Sequence, residues 1–524
     1  MRGRIVSSVI TLASLFSVVC CIAVSAQEKA TGNGSHRHRY RLVDLGTFGG
    51  PTSSLDCCGD LAPPVINGRG TAVGGADGAA PNPHKANQNP LLCCDDFVNT
   101  GFQWNEDGLT NLGTLPGGFN SFANAINATG AIVGTSENGQ IDPLLGVAES
   151  HPVLWKNGKI FDLGTLDGGY EGLALTSNKR GQVVGLAVNT VPDTLPGFPN
   201  NIPWGTQSRA FLWENGKMQD LGTLGAGTDA VAYFINDSGQ IAGMSYSNTT
   251  LNPVFDWCGS FRGVNVPTEE PFVWEKGKGI TSLGTFGGTC GFPNAINKWG
   301  EIVGLSDLPG DVSFHPFLWT RRSGMRDLGT LGGTYGRAVA INDAGEVAGT
   351  AATKNDKSFR AFLWKRDTGM INLGTLNGDP CSSAYAMNAK GQVIGASLAC
   401  DLSVVHTFLW ADGRMIGLDQ FIPPNSGISL TDPSSINDRG EIAVNGLLNG
   451  NPHAFVLVPC DEDHPDEEGC EEGAHATTAI QNNLAWAALN STDLTGVGLA
   501  SREIAPQIRA RFGRNRSPRA WLQK

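Results

Sequence analysis

Nowhere beyond residue 26 does this 524-residue chain offer the roughly 20 uninterrupted apolar residues that a membrane-spanning helix needs. A mature chain with no transmembrane segment is the expectation. Cys-x-x-Cys spacing is missing, and adjacent cysteine pairs are a poor geometric substitute for it, so the cysteines do not read as zinc ligands. The Lys-Ser/Thr of a phosphate-binding P-loop and the alternating carboxylates of a calcium loop are missing as well. With no serine, cysteine or paired-carboxylate constellation standing out, no catalytic residue, metal or cofactor is assigned. A basic surplus is also lacking: the formal net charge is -12, and a phosphate-binding face needs the opposite sign. Nucleic acid is therefore not an expected partner.

The chain opens with two arginines within Met1 to Arg4, an apolar run from Ile5 to Val24, and small residues at Val24-Ser25-Ala26. This pattern predicts a secretory signal peptide over residues 1–26, cleaved after Ala26. Val19 precedes Cys20 where a lipobox wants a small residue, so lipidation is not expected. Ten cysteines then remain, an even number in a compartment where disulfides persist. They fall into local groups: Cys57 and Cys58 with Cys93 and Cys94, Cys258 with Cys290, Cys381 with Cys400, and Cys460 with Cys470. All ten are candidate disulfide residues, with the pairing among the first four left open. Secreted, extracellular or periplasmic residence follows from both features.

Glycine numbers 70, about twice its usual share, and an internal repeat accounts for the excess. Leu-Gly-Thr recurs at Leu45, Leu112, Leu163, Leu221, Leu283, Leu328 and Leu373, with a decayed copy at Leu418. Between copies lies an asparagine followed three residues later by glycine, in eight pairs from Asn67 and Gly70 to Asn437 and Gly440. Asparagine can cap a turn with its side chain and glycine can take the left-handed conformation, so each pair reads as a tight hairpin. A β-branched strand follows, as in Ala131-Ile132-Val133-Gly134, and then an apolar triplet such as Phe211-Leu212-Trp213 or Phe362-Leu363-Trp364. Consecutive large apolar residues suit a strand buried on both faces. Asn157-Gly158, Asn215-Gly216 and Asp412-Gly413 then turn the chain into a fourth strand.

Four short strands in about 45 residues predict an all-β fold, an eight-bladed β-propeller of four-stranded antiparallel blades. The repeats begin on a fourth strand, Tyr40 to Leu45, and end on a third, Phe455 to Val458, so the N-terminal strand is expected to close the last blade. A β-solenoid is the alternative, and it does not explain why the two ends complement each other. The expected organisation is a linker at 27–39, the propeller at 40–459, and an acidic loop and C-terminal tail at 460–524. In such a ring Cys57, Cys58, Cys290 and Cys381 are placed in inter-blade loops, and Cys93, Cys94, Cys258 and Cys400 in second-to-third-strand loops of the same face.

The repeat resembles the extracellular HAF-repeat family of bacterial proteins over about Asp44 to Val458. The likeness rests on the Leu-Gly-Thr-x-Gly-Gly segment, the Ile-Asn turn, the Val-Gly strand and His453-Ala454-Phe455, with near copies at His315-Pro316-Phe317 and His406-Thr407-Phe408. It implies an extracellular location and a repeat architecture, and no activity.

Function is expected where the repeat is broken. From the glycine closing the second strand to the apolar triplet, the first four blades are long: Gly74 to Phe102, Gly134 to Val153, Gly185 to Phe211 and Gly243 to Phe272. The later blades shorten this to spans such as Gly304 to Phe317. Insertions on a rigid scaffold are where binding residues concentrate. Trp204, Tyr246, Phe255, Asp256, Trp257 and Phe261 are the candidate ligand-binding residues, since aromatics beside a carboxylate suit a sugar; packing of the loops onto the scaffold is the competing reading. A binding or interaction scaffold for an extracellular glycan or protein is the leading expectation. The alternative is a propeller hydrolase or lyase acting on an extracellular polysaccharide or similar substrate, with an axial site. First strands rich in alanine, such as Ala123, Ala125, Ala338 and Ala340, weigh against it.

Overall fold

The computed structural model describes residues 39–56, 63–92, 96–198, 202, 204–253, 258 and 265–461. Its strands form eight antiparallel groups of four in simple up-and-down order, the fifth and sixth joined by a parallel bridge between Phe314 and Tyr335. Blades 1 to 7 span 49–111, 121–162, 172–220, 230–282, 291–327, 332–372 and 381–417; blade 8 combines 428–459 with the N-terminal strand Tyr40–Asp44. That strand pairs with Asn451–Pro459 in a register running from Tyr40 opposite Pro459 to Asp44 opposite Phe455. The two chain ends thus complete one blade, as the mismatch of terminal strands predicted.

Hydrogen bonds carry the ring across this seam, among them Leu55 N to Asn445 Oδ1 at 2.9 Å, Ala454 N to Ser53 Oγ at 3.1 Å, and Asn437 Nδ2 to the Asn67 carbonyl at 2.8 Å. The second repeats a contact found inside the ring, where Gly101 N and Ala361 N each donate to a serine hydroxyl of the next blade, Ser121 and Ser382, at 3.0 Å. Blade 8 therefore meets blade 1 as neighbouring blades meet elsewhere.

The turn asparagines do two things at once. Within each hairpin the side-chain oxygen accepts backbone N–H groups two and four residues on, as from Thr129 and Ala131 to Asn127 Oδ1 at 2.9 and 3.1 Å. The paired glycines all sit at positive φ, between 76° and 91°, which fixes their identity. The remaining amide of the same asparagine reaches across to the next blade. Asn127 donates to the Asn178 carbonyl, Asn178 to Asn236, Asn236 to Asn297, Asn297 to Asn342, Asn388 to Asn437 and Asn437 to Asn67, all within 2.8–3.2 Å.

The apolar triplets are buried as expected of strands covered on both faces: Phe102, Phe211, Phe272, Phe317, Phe362, Phe408 and Phe455 have no exposed surface. The repeat histidines and their arginine counterpart face the fourth strand. His151, His315 and His453 place Nδ1 2.8–3.0 Å from Asp162, Asp327 and Asp44, and Arg209 Nε donates to Asp220 at 3.0 Å. His406 instead meets Asp379, at 2.9 Å. Each of the four fourth-strand aspartates also accepts the N–H of the glycine in the following Leu-Gly-Thr, as from Gly164 to Asp162 Oδ1 at 2.8 Å. The tripeptide histidine thus locks the entry to the next blade.

Two disulfides lie within the described residues, Cys258–Cys290 and Cys381–Cys400. Cys460 is disulfide-bonded too. Cys57, Cys58, Cys93, Cys94 and Cys470 lie outside the described residues. One placement is corrected: Cys381 opens the first strand of blade 7, Cys381–Met387, rather than lying in the inter-blade loop before it.

Candidate functional site

The insertions of blades 1 to 3 begin as prolonged hairpins. Second strands of ten residues, Ala72–Pro81, Ile132–Ile141 and Val183–Pro192, replace strands of six or seven in blades 4 to 8. Beyond the hairpins the loops fold inward. Leu91 from blade 1, Phe198, Ile202 and Trp204 from blade 3, and Tyr246, Cys258 and Val266 from blade 4 form one apolar cluster with Leu173, Leu175, Val231 and Tyr233 of two first strands. First strands lie next to one another around the centre of the ring, so the insertions pack over its inner strands.

Trp204 and Tyr246, two of the residues proposed to meet a ligand, belong to this cluster. Trp204 is 2% exposed and its Nε1 donates to the Phe198 carbonyl at 2.7 Å; Tyr246 is fully buried and its hydroxyl donates to the Pro196 carbonyl at 2.5 Å. Tyr246 also packs on Phe198, ring centroids 4.9 Å apart. Both side chains spend their polar groups on a loop backbone, so in this structure they hold the blade 3 insertion in place. Phe255, Asp256, Trp257 and Phe261 lie outside the described residues.

A set of buried carboxylates fastens the loops. Glu137 accepts the backbone N–H of Phe119 and Asn120 at 3.0 and 3.1 Å and the Asn120 amide at 2.8 Å, with His84 Nδ1 of the blade 1 insertion 3.0 Å away. Glu171 stands at the head of the first strand of blade 3. Its Oε2 accepts from Asn89 Nδ2 at 2.6 Å and from Ser150 N and Oγ at 3.2 and 3.0 Å, while Oε1 has no hydrogen-bond partner among the described residues. Asn89 also donates to the Ala148 carbonyl at 2.7 Å, so the blade 1 insertion crosses blade 2 and ends on blade 3. Asp229, at the same repeat position in blade 4, accepts from Ser208 N and Oγ at 2.7 and 2.6 Å and from Thr228 Oγ1 at 2.7 Å.

Burial raises the Glu171 carboxyl to about 8 despite its hydrogen bonds, with the charge of Asp142 adding to the rise. Burial likewise raises Asp229 to about 6, helped by Asp193. Glu171 is therefore mainly neutral near pH 7. Sequence reasoning missed these residues, although the repeat marked them. Asn120, Glu171 and Asp229 align with Cys290, Tyr335 and Cys381, and the polar trio directly follows blades that carry long insertions.

What the loops leave outward is mainly aliphatic, with one exposed ring, Phe119. Of ten large apolar side chains exposed among the described residues, seven lie on this face: Phe119, Ile141, Leu144, Val191, Leu251, Val312 and Val404. Five of the seven belong to blades 1 to 4 or the loop joining blades 1 and 2. Among the described residues no group of three or more histidine, cysteine or acidic side chains is arranged to hold a metal, and no helix is long and apolar enough to cross a membrane.

No family model matches the chain, and neither does any curated protein. Among solved structures it is similar to Porphyromonas gingivalis dipeptidyl peptidase 4, at 9% identity and a TM-score of 0.39 over 67% of this chain and 53% of the peptidase. It is also similar to a puromycin hydrolase, at 10% and 0.38 over 78% and 62% of the two chains, and to an oligogalacturonate lyase solved with manganese, at 11% and 0.37 over 82% and 99%. This chain thus spans about half the length of the peptidase. The β-propeller fold stands on the strand order and the closed ring.

Proposed function

We propose that the protein is an exported binding scaffold that holds a protein partner against the loop face of blades 1 to 4. The observation carrying this reading is the contrast between that face's interior and its exterior. Buried carboxylates and rings fasten the described parts of the insertions, so the side chains they carry are presented without a large ordering cost on binding. At the tips stand Ile141, Leu144, Val191 and Leu251, each 46–57% exposed. Aliphatic side chains on a rigid face suit the apolar centre of a protein interface, whereas sugar binding favours exposed rings. Replacing these four residues together by serine tests the reading. Binding of proteins retained from the surrounding medium should fall by about tenfold or more, with unchanged thermal unfolding; equal retention by the variant overturns it.

Export is part of the proposal, supported by the N-terminal apolar run and by the two disulfides. A secreted form beginning at Gln27 is expected by mass spectrometry. Kinship with the HAF-repeat family is proposed on the same repeat, whose histidine has a structural task at His151, His315 and His453.

A second reading, a hydrolase or lyase acting on an extracellular polysaccharide, is favoured by one observation. Glu171 and Asp229 stand at the heads of neighbouring first strands with raised pKa values, as a general acid requires. Polysaccharide cleavage by the wild type that Glu171→Gln abolishes would support it, and absence of cleavage removes it.

A further inference from the structure

The aromatic-beside-carboxylate chemistry sought on the loops is present, exposed, on the opposite face. Trp299 occupies the asparagine turn of blade 5 and is 66% exposed. The turn does not require it: the same position holds Arg69, Thr129, Arg180, Ser238, Ala344, Lys390 and Arg439 in the other blades. The ring is nevertheless held. Its Nε1 donates to the Asp343 carbonyl of blade 6 at 2.9 Å, and the Lys298 ammonium lies 4.8 Å from the ring centroid. Lys298 is itself fixed, its backbone N–H donating to Asp343 Oδ1 at 3.1 Å and its Nζ meeting Oδ2 at 3.1 Å. One edge and one face of the indole are thus occupied, and the other face is offered to solvent in a set orientation.

We infer that Trp299, held in place by Lys298 and Asp343, forms a carbohydrate-stacking subsite that takes one pyranose unit of a neutral, β-linked glucan. A flat ring with equatorial hydroxyls presents an apolar C–H face that matches the open side of an indole. Lys298 and Asp343, on the occupied side, hold the indole in place and leave that open face clear for stacking. The ammonium and carboxylate already neutralise each other, so nothing at the site selects a charged sugar. Little freedom remains to be lost on binding, because the indole N–H is committed to a backbone carbonyl across the blade boundary.

The test uses the full mature protein and cellotetraose, followed by saturation-transfer NMR and by titration calorimetry. Saturation should pass to the sugar C–H protons, with a dissociation constant on the order of 1 mM. Trp299→Ala should weaken binding by about tenfold or more, while Trp299→Phe should stay within about threefold of wild type. Alanine occupies this position in blade 6, so the variant is expected to fold, and its thermal unfolding checks that. No transfer to cellotetraose at about 10 mM, or equal binding by wild type and Trp299→Ala, overturns the assignment. The subsite lies on the face away from the insertions, so either outcome leaves the loop-face reading standing on its own test.

Discussion

Replacing Glu171 by glutamine should make this protein more stable above neutral pH and leave it nearly unchanged in acid. Burial holds the Glu171 carboxyl at about 8, against an ordinary value of 4.5. Between those two pH values the folded state keeps a proton that the unfolded chain has released. Stability is therefore full below about pH 4.5 and falls as pH rises through the window, by about 1.4 kcal/mol per unit. The shift corresponds to roughly 4–5 kcal/mol at its upper bound by pH 8, some of which structural relaxation will absorb. Glutamine keeps the acceptor for Asn89 and Ser150 and removes the titration. Denaturant unfolding of both proteins from pH 5 to 9 should give curves that start together, apart from a constant offset, and diverge in favour of the variant. A difference that stays flat with pH, or one that grows in favour of wild type, would refute the assignment of Glu171 as a buried neutral acid.

Asn127→Asp keeps the turn-capping oxygen but loses the amide that donates to Asn178, and should cost about 1–2 kcal/mol in denaturant unfolding. Cys258→Ser with Cys290→Ser releases a loop of 32 residues in sequence and should lower stability by about 3–4 kcal/mol, with hydrogen exchange rising first around Asn252 and Val266. Burial alone would lower the His151 pKa, but Asp162 and Glu149 outweigh it and raise it; Asp162 is lowered by His151 despite its own partial burial. Their contribution should therefore disappear as pH rises through the folded-state His151 pKa, and again as pH falls through that of Asp162. Asp162→Asn should flatten both limbs of the pH–stability curve.

The blades were legible because each is a local pattern. The asparagine–glycine turns, the buried triplets and the unmatched terminal strands sufficed to place eight blades and the closing strand. Residues that act between blades were harder to read. Asn127 looked like a turn residue, and its amide's reach to Asn178 exists only once two blades stand side by side. Asp237, Asp343 and Asp438, each next to a turn asparagine, likewise accept a backbone N–H from the preceding blade at 2.9–3.1 Å.

The candidate site shows the same division. Loop length located the irregular face, and composition left open whether its rings meet a ligand or pack the loops onto the scaffold. Trp204 and Tyr246 are large enough to bury over the inner strands and have polar tips that find carbonyls in the loop, so they turn inward. Asn89 and Glu171 are 82 residues apart and meet only because the first insertion crosses an entire blade.

The most direct test of the loop-face reading is site-specific photocrosslinking in the protein's native surroundings. A photoreactive residue at Leu144, on the tip of the blade 2 insertion, is compared with one at Ile371, on an outer strand of blade 6; both side chains are exposed. The account predicts a discrete crosslinked protein from position 144 alone, competed away by unlabelled wild type and not by the variant with four serines. Equal crosslinking from the two positions, or none from position 144, contradicts it.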